Sequence, residues 1–155
     1  MSIRIVPLLA LFALGLAPVL SARDMAQPEL PRISLSVNGI TVNAEVADED
    51  HERTTGLMFR ESLGPDEGML FVMPSVGPAA FYMRNTRIPL SIAYIAPNGT
   101  ILEIHNLEPF EETPVQSRFP NIAYALEMKR GWFQDNRIYP GATITGLPPH
   151  PRVRY

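Results

Sequence analysis

Gly68-Met-Leu-Phe-Val-Met73, Phe81-Tyr-Met-Arg-Asn-Thr86, Pro89-Leu-Ser-Ile-Ala-Tyr-Ile95 and Thr100-Ile-Leu-Glu-Ile-His-Asn106 decide the fold. Each run has the length of a short strand, is rich in apolar, β-branched and aromatic residues, and is bounded by Gly, Pro or Asn. They predict strands at Met69–Met73, Ala80–Arg84, Pro89–Ile95 and Thr100–Asn106. Pro97-Asn98-Gly99 joins the last two as a hairpin. Upstream, Ile33, Leu35 and Val37 alternate with small polar residues, and so do Ile40, Val42, Ala44 and Val46. Asn38-Gly39 between them favours a tight turn with positive φ, which makes a second hairpin. Downstream, Ile122, Tyr124, Leu126 and Met128 line one face of a further strand, and Ala142–Thr145 is a short last one.

Helix signals are few. Asp48 reads as an N-cap, Glu49 and Asp50 suit the positive end of a helix, and Gly56 suits its stop, so a helix is predicted over about 49–58. Gly131-Trp132-Phe133 opens a turn or short helix, and residues 107–120 form a polar, proline-bearing loop. The fold class is α+β, mainly antiparallel β: a small curved sheet or open barrel with one or two short helices. Regular strand–helix alternation is missing, which argues against a doubly wound sheet.

The ends of the 155-residue chain read differently from its middle. Residues 1–22 carry one charge, Arg4, then an apolar run, then the small residues Ser21 and Ala22, the order of a secretory signal cut after one of those two. Pro18 interrupts the run, so a retained membrane anchor is the weaker reading, and no stable span is expected after cleavage. Residues 23–32 are a linker, 33–147 one globular domain, and 148–155, opening Pro148-Pro149-His150-Pro151, a flexible tail. The expected location is periplasmic or secreted.

Composition narrows the chemistry. The chain has no cysteine, which removes disulfides, thiolate metal sites and thiol nucleophiles. Lys129 is the single lysine, so Schiff-base chemistry has one candidate. Losing Arg4 takes the formal net charge from −3 to −4, a poor balance for binding nucleic acid, and none is expected as a partner.

Taken together, Gly56-Leu-Met-Phe-Arg60, Gly68-Met-Leu-Phe71, Phe81-Tyr-Met-Arg-Asn-Thr86, Pro89-Leu90, Tyr124-Ala-Leu-Glu127 and Gly131 resemble the domain of unknown function 192 family over about residues 33–147. The resemblance implies a compact α+β domain, often behind a signal peptide, and implies no reaction. Where that family tends to have Asp, this chain has Ser91 and Ala142, so any role of those two carboxylates is lost here.

Candidate site residues follow from polar groups set in apolar sequence. Arg60, Met83, Asn85, Thr86 and Glu127 are the candidate ligand-binding set. Ala123 and Ala125 share the face of Glu127, and two small residues before a carboxylate imply cover. A covered carboxylate needs a partner, and Arg60 is the first choice, Arg84 the second. Asn85 is expected on a strand face with Phe81 and Met83. Glu103 and His105, on one side of a strand opposite Leu102 and Ile104, are weak metal candidates without a third ligand. Met58, Met69, Met73, Met83 and Met128 offer soft sulfur for copper, against the plainer reading that they fill the core. No catalytic residue is identified, since neither a Gly-x-Ser-x-Gly elbow nor a His-Glu-x-x-His helix occurs. No cofactor is expected. The leading reading is an exported, non-catalytic binding or accessory domain for a small polar ligand or an envelope protein. A carboxylate-dependent hydrolase of cell-envelope material and a copper-handling protein are the alternatives.

Overall fold

The computed structural model describes residues 25–151. The predicted signal segment 1–22 and the ends of the linker and tail lie outside them. The elements are β1 (Arg32–Val37), β2 (Ile40–Ala47), α1 (Asp50–Thr55), β3 (Glu67–Gly77), β4 (Ala80–Phe81), β5 (Leu90–Ile95), β6 (Ile101–Leu107), β7 (Val115–Gln116), β8 (Ile122–Lys129), α2 (Trp132–Asp135) and β9 (Ile144–Thr145).

Seven strands form one sheet in the order β6-β5-β8-β3-β2-β1-β9, and β4 pairs with β7 in a separate two-stranded ribbon. The sheet is antiparallel except for β2 and β3, which run parallel with Ala44 opposite Gly68. Parallel neighbours need a long crossover, and residues 48–66, including α1, supply it. Both predicted hairpins form: Asn38 and Gly39 have φ of 52° and 85°, and Gly99 has 86°. The sheet curls until its two edges meet, where Thr100 bridges to Thr143 and Ile101 N–H donates to the Ala142 carbonyl at 2.8 Å. The outcome is a half-barrel with two cores.

The inner core takes side chains from all seven strands, including Leu35, Val42, Leu70, Ala93, Leu126 and Ile144, and Trp132 and Phe133 of α2 close it. The outer core, on the opposite face, holds Met69, Phe71, Leu90, Ile92, Tyr94 and Ala125 under α1 and the β4–β7 ribbon. A sheet buried on both faces needs continuous apolar strands. All six residues of β5 are buried, and so is β8 up to Met128. At Gly68 the packing leaves no room for a side chain: a Cβ there would lie 2.4 Å from the Glu127 carbonyl oxygen.

Several expectations are corrected. The strand predicted over Ala80–Arg84 stops at Phe81, because Asn85 turns the chain with φ of 55°. The predicted loop 107–120 contains β7, which pairs with that short strand. α1 begins after Glu49, with Glu52 accepting the Asp48 and Glu49 N–H groups, and ends at Thr55. Leu102 and Ile104 do not share a face: a register shift between Tyr94 and Ile95 sends Leu102 to the outer core and Ile104 to the inner one. A similar shift between Val72 and Gly77 moves Ile122 to the outer core, away from Tyr124 and Leu126. Of the tail expected from Pro148 onward, Pro148 and His150 meet the domain, while Pro149 and Pro151 are exposed. His150 is buried edge-on against Tyr124, whose hydroxyl donates to the Pro148 carbonyl at 2.8 Å.

Candidate functional site

One row of side chains crosses the outer face of the sheet from β1 to β6. Cross-strand pairing sets it in the order Arg32, Glu45, Met69, Glu127, Ile92 and His105. Two buried carboxylates therefore flank Met69. Glu45 is 2% exposed and Glu127 is 4% exposed, yet their surroundings differ.

Glu45 is fully partnered. Arg60 donates to it at 2.8 Å, Arg32 at 3.4 Å and the Leu30 N–H at 2.8 Å. The Arg60–Glu127 pair expected from sequence is thus not formed. Arg60 reaches the neighbouring acid on the row, and Arg84 pairs with Glu112 at 3.0 Å on the surface.

Glu127 accepts no hydrogen bond from any described residue. Burial alone pushes its carboxyl up to about 8, so the group is protonated near neutral pH. Next to it Tyr94 donates its hydroxyl to the Val115 carbonyl, and burial first, then the nearby Glu127 and Glu103, pushes the phenol well up.

Glu127 lines a cleft of about 540 Å³ between α1, β3 and the ribbon. Its walls combine apolar side chains, Leu57 and Met58 after the helix, Phe71 and Met73 on β3, and Phe81 of the ribbon with Tyr82 beside it, with the polar Thr54 and Thr55 of α1. Phe71 and Phe81 meet edge to face at 4.9 Å between centroids, which fixes that wall. Thr86 is the other buried polar residue of the lining; it is 4% exposed and its hydroxyl donates to the Arg84 carbonyl at 3.2 Å. Arg53 stands at the rim, tied to Asp50, to the Asp48 carbonyl and, at 3.1 Å, to the Val72 carbonyl. An apolar concavity with a few convergent polar groups is the usual form of a small-molecule site.

Of the candidate binding residues, Thr86 and Glu127 line this cleft. Met83 is buried in the outer core beneath it. Asn85 is exposed and contributes its carbonyl, which accepts the Phe59 N–H at 2.8 Å. Arg60 serves Glu45. The structure adds Arg53, from the polar helix α1, and Phe71, Phe81 and Tyr82, which carry no distinctive sequence signal beyond their place in the apolar runs.

Glu103 and His105 form a pair of their own. The imidazole Nε2 lies 2.7 Å from the carboxylate, which also accepts the Arg118 and Phe119 N–H groups at 2.7 and 3.3 Å. Burial pushes the Glu103 carboxyl up, but His105 and the two amides outweigh it and hold it below its ordinary value. These contacts fasten the loop before β8 to the sheet, in place of the solvated face a hairpin usually has. Ser91, standing where the resemblance leads one to expect Asp, is buried; its hydroxyl donates to Asn106 at 2.9 Å and accepts the Gly131 N–H at 3.2 Å.

The family model for DUF192, described as "Uncharacterized ACR", matches residues 33–146. The chain belongs to the DUF192 family. No curated protein matches it. Among solved structures, this DUF192 chain is similar to a candidate transcription regulator from Sinorhizobium meliloti, at 33% identity and a TM-score of 0.72. That alignment covers 76% of this chain and 95% of the other. It is also similar to a protein of unknown function from Novosphingobium aromaticivorans, at 30% identity and a TM-score of 0.69, covering 83% of this chain and 99% of the other.

Proposed function

We propose that this DUF192 chain is an exported, non-catalytic binding domain whose cleft takes a small molecule with an apolar body and one polar head. The observation that carries the reading is Glu127, a buried carboxyl without a partner among the described residues, at a cleft with Leu57, Met58, Phe71, Met73 and Phe81 in its walls. A carboxyl buried without a charged partner is costly to ionise, and perturbed groups of this kind cluster at functional sites. The signal-like segment 1–22 supports export.

Two features support a small ligand over nucleic acid, despite the similarity to a candidate transcription regulator from Sinorhizobium meliloti. The net charge is negative, and the two helices among the described residues, of six and four residues, are too short to serve as recognition helices. The raised pKa of Glu127 favours a second reading, a general acid in a hydrolase. The cleft's other carboxylate, Asp50, is exposed and held by Arg53, which leaves that reading without a buried second acid. For copper, Met58 and Met73 are the methionines at the cleft, whereas Met69, Met83 and Met128 are buried in the two cores.

Fragment titration followed by NMR tests the binding reading. Amide shifts should cluster at Phe71, Phe81, Thr86 and Glu127. Shifts elsewhere, or none with any fragment, contradict it. For export, intact mass of the envelope fraction should show a chain starting at Ala22 or Arg23, and a retained Met1 contradicts cleavage.

A further inference from the structure

We propose that the head group recognised in this cleft is an organic cation, a primary ammonium or guanidinium on an apolar body, paired with Glu127. This rests on the cleft being a binding site and specifies its ligand.

The sheet supplies its own comparison. Glu45 and Glu127 are both buried on one row, one residue position apart across Met69. Glu45 is held by two guanidinium groups, from Arg60 and Arg32. Glu127 has no such group: Arg53, the basic residue at the cleft, is turned to Asp50, Asp48 and Val72 and makes no bond to Glu127. An ionised carboxylate is an acceptor only, and its burial is tolerated when a cation with donors meets it. The ligand is placed to supply at Glu127 what Arg60 supplies at Glu45. The walls suit that ligand too. Aromatic rings such as Phe71 and Phe81 attract a cation that has left water, Tyr82 already carries the Arg84 guanidinium 5.6 Å from its centroid, and the thioethers of Met58 and Met73 are polarisable and adaptable.

Pairing has a proton signature. The free carboxyl is protonated near neutral pH, so binding an ammonium ion converts Glu127 from COOH to COO⁻ and releases one proton to solvent. The other charged or titratable groups around it are Tyr94 on β5, Asp50 and Arg53 on α1, and Tyr82 beside the ribbon. Along the row, Glu45 is already ion-paired with Arg60, and His105 Nε2 lies 2.7 Å from the Glu103 carboxylate. Tyr94 stays neutral, because its hydroxyl is committed to Val115 and its pKa is raised further.

The test is calorimetry of the purified protein near neutral pH with phenethylamine, phenethyl alcohol and agmatine, in two buffers of different ionisation enthalpy. The amine or agmatine should bind at least about tenfold more tightly than the alcohol and release close to one proton. Glu127→Gln, which keeps the side-chain shape, should abolish the preference and the proton release. If the alcohol binds as tightly as the amine with no proton released, the cleft stands and the cation inference falls. If none of the three binds, both the cation inference and the binding reading are contradicted. Proton release is read on the unmodified protein, so the result does not depend on the variant folding.

Discussion

Glu45 and Glu127 are cross-strand neighbours of the same residue, Met69, on the same face of the sheet, and only Glu45 has cations against it. One acid is part of the scaffold. The other, left alone at a cleft, is the best-marked functional group among the described residues.

The solitary acid has a stability cost with a definite sign. Above the unfolded-state value near 4.5 the unfolded chain ionises Glu127, while the folded chain holds the proton until about 8. The unfolded state therefore binds fewer protons across that window, and stability falls as pH rises through it, by about 1.4 kcal/mol per pH unit from this group. Glu127→Gln removes the dependence. Urea unfolding at several pH values between these limits should show the variant gaining on the parent as pH rises. Parallel curves would contradict a buried, unpaired acid.

The Glu45–Arg60 pair should behave in the opposite way. Breaking a buried pair from one side costs about 3–5 kcal/mol, and the low end is expected here because Arg32 remains beside Glu45. A double-mutant cycle with Glu45→Gln and Arg60→Met should give a coupling of at least about 1 kcal/mol. The same cycle with Glu127 in place of Glu45 should give a coupling close to zero.

Methionines divide by location. Met69 is 0% exposed between the two acids, so Met69→Ala should cost about 2–5 kcal/mol in denaturant unfolding. Met58 and Met73 are half-buried at the cleft, and their alanine variants should lose less stability while weakening whatever ligand binds. If Met69→Ala keeps full stability but abolishes copper binding seen in the parent, the packing assignment fails.

Local signals in the sequence carried much of this architecture. Asn38-Gly39 and Asn98-Gly99 mark turns because few residues tolerate positive φ, and both hairpins follow. The cover over Glu127 was legible from Ala125, which shares its face in the outer core, whereas Ala123, expected on that face, lies in the inner core because of the register shift between Val72 and Gly77. The partner of Arg60 was not. Glu45 occupies the polar alternate of β2, which reads as a solvent face until the N-terminal segment and the crossover cover it. That cover depends on β2 lying parallel to β3, a pairing between distant segments that no local pattern encodes. Asn85 misled for a related reason: period-two spacing continued the strand on paper, whereas the backbone turned at a residue that accepts φ of 55°. The cleft walls were visible as apolar runs, but convergence of Phe71, Phe81 and Tyr82 on one space is a tertiary property.

The ionisation of Glu127 itself is the most direct measurement. Its side-chain carboxyl carbon, followed by NMR through a pH titration of the free protein, should show a midpoint near 8. A midpoint in the ordinary carboxylate range, around 4–5, would mean that the group is solvated or paired, and would contradict a lone buried carboxyl awaiting its ligand.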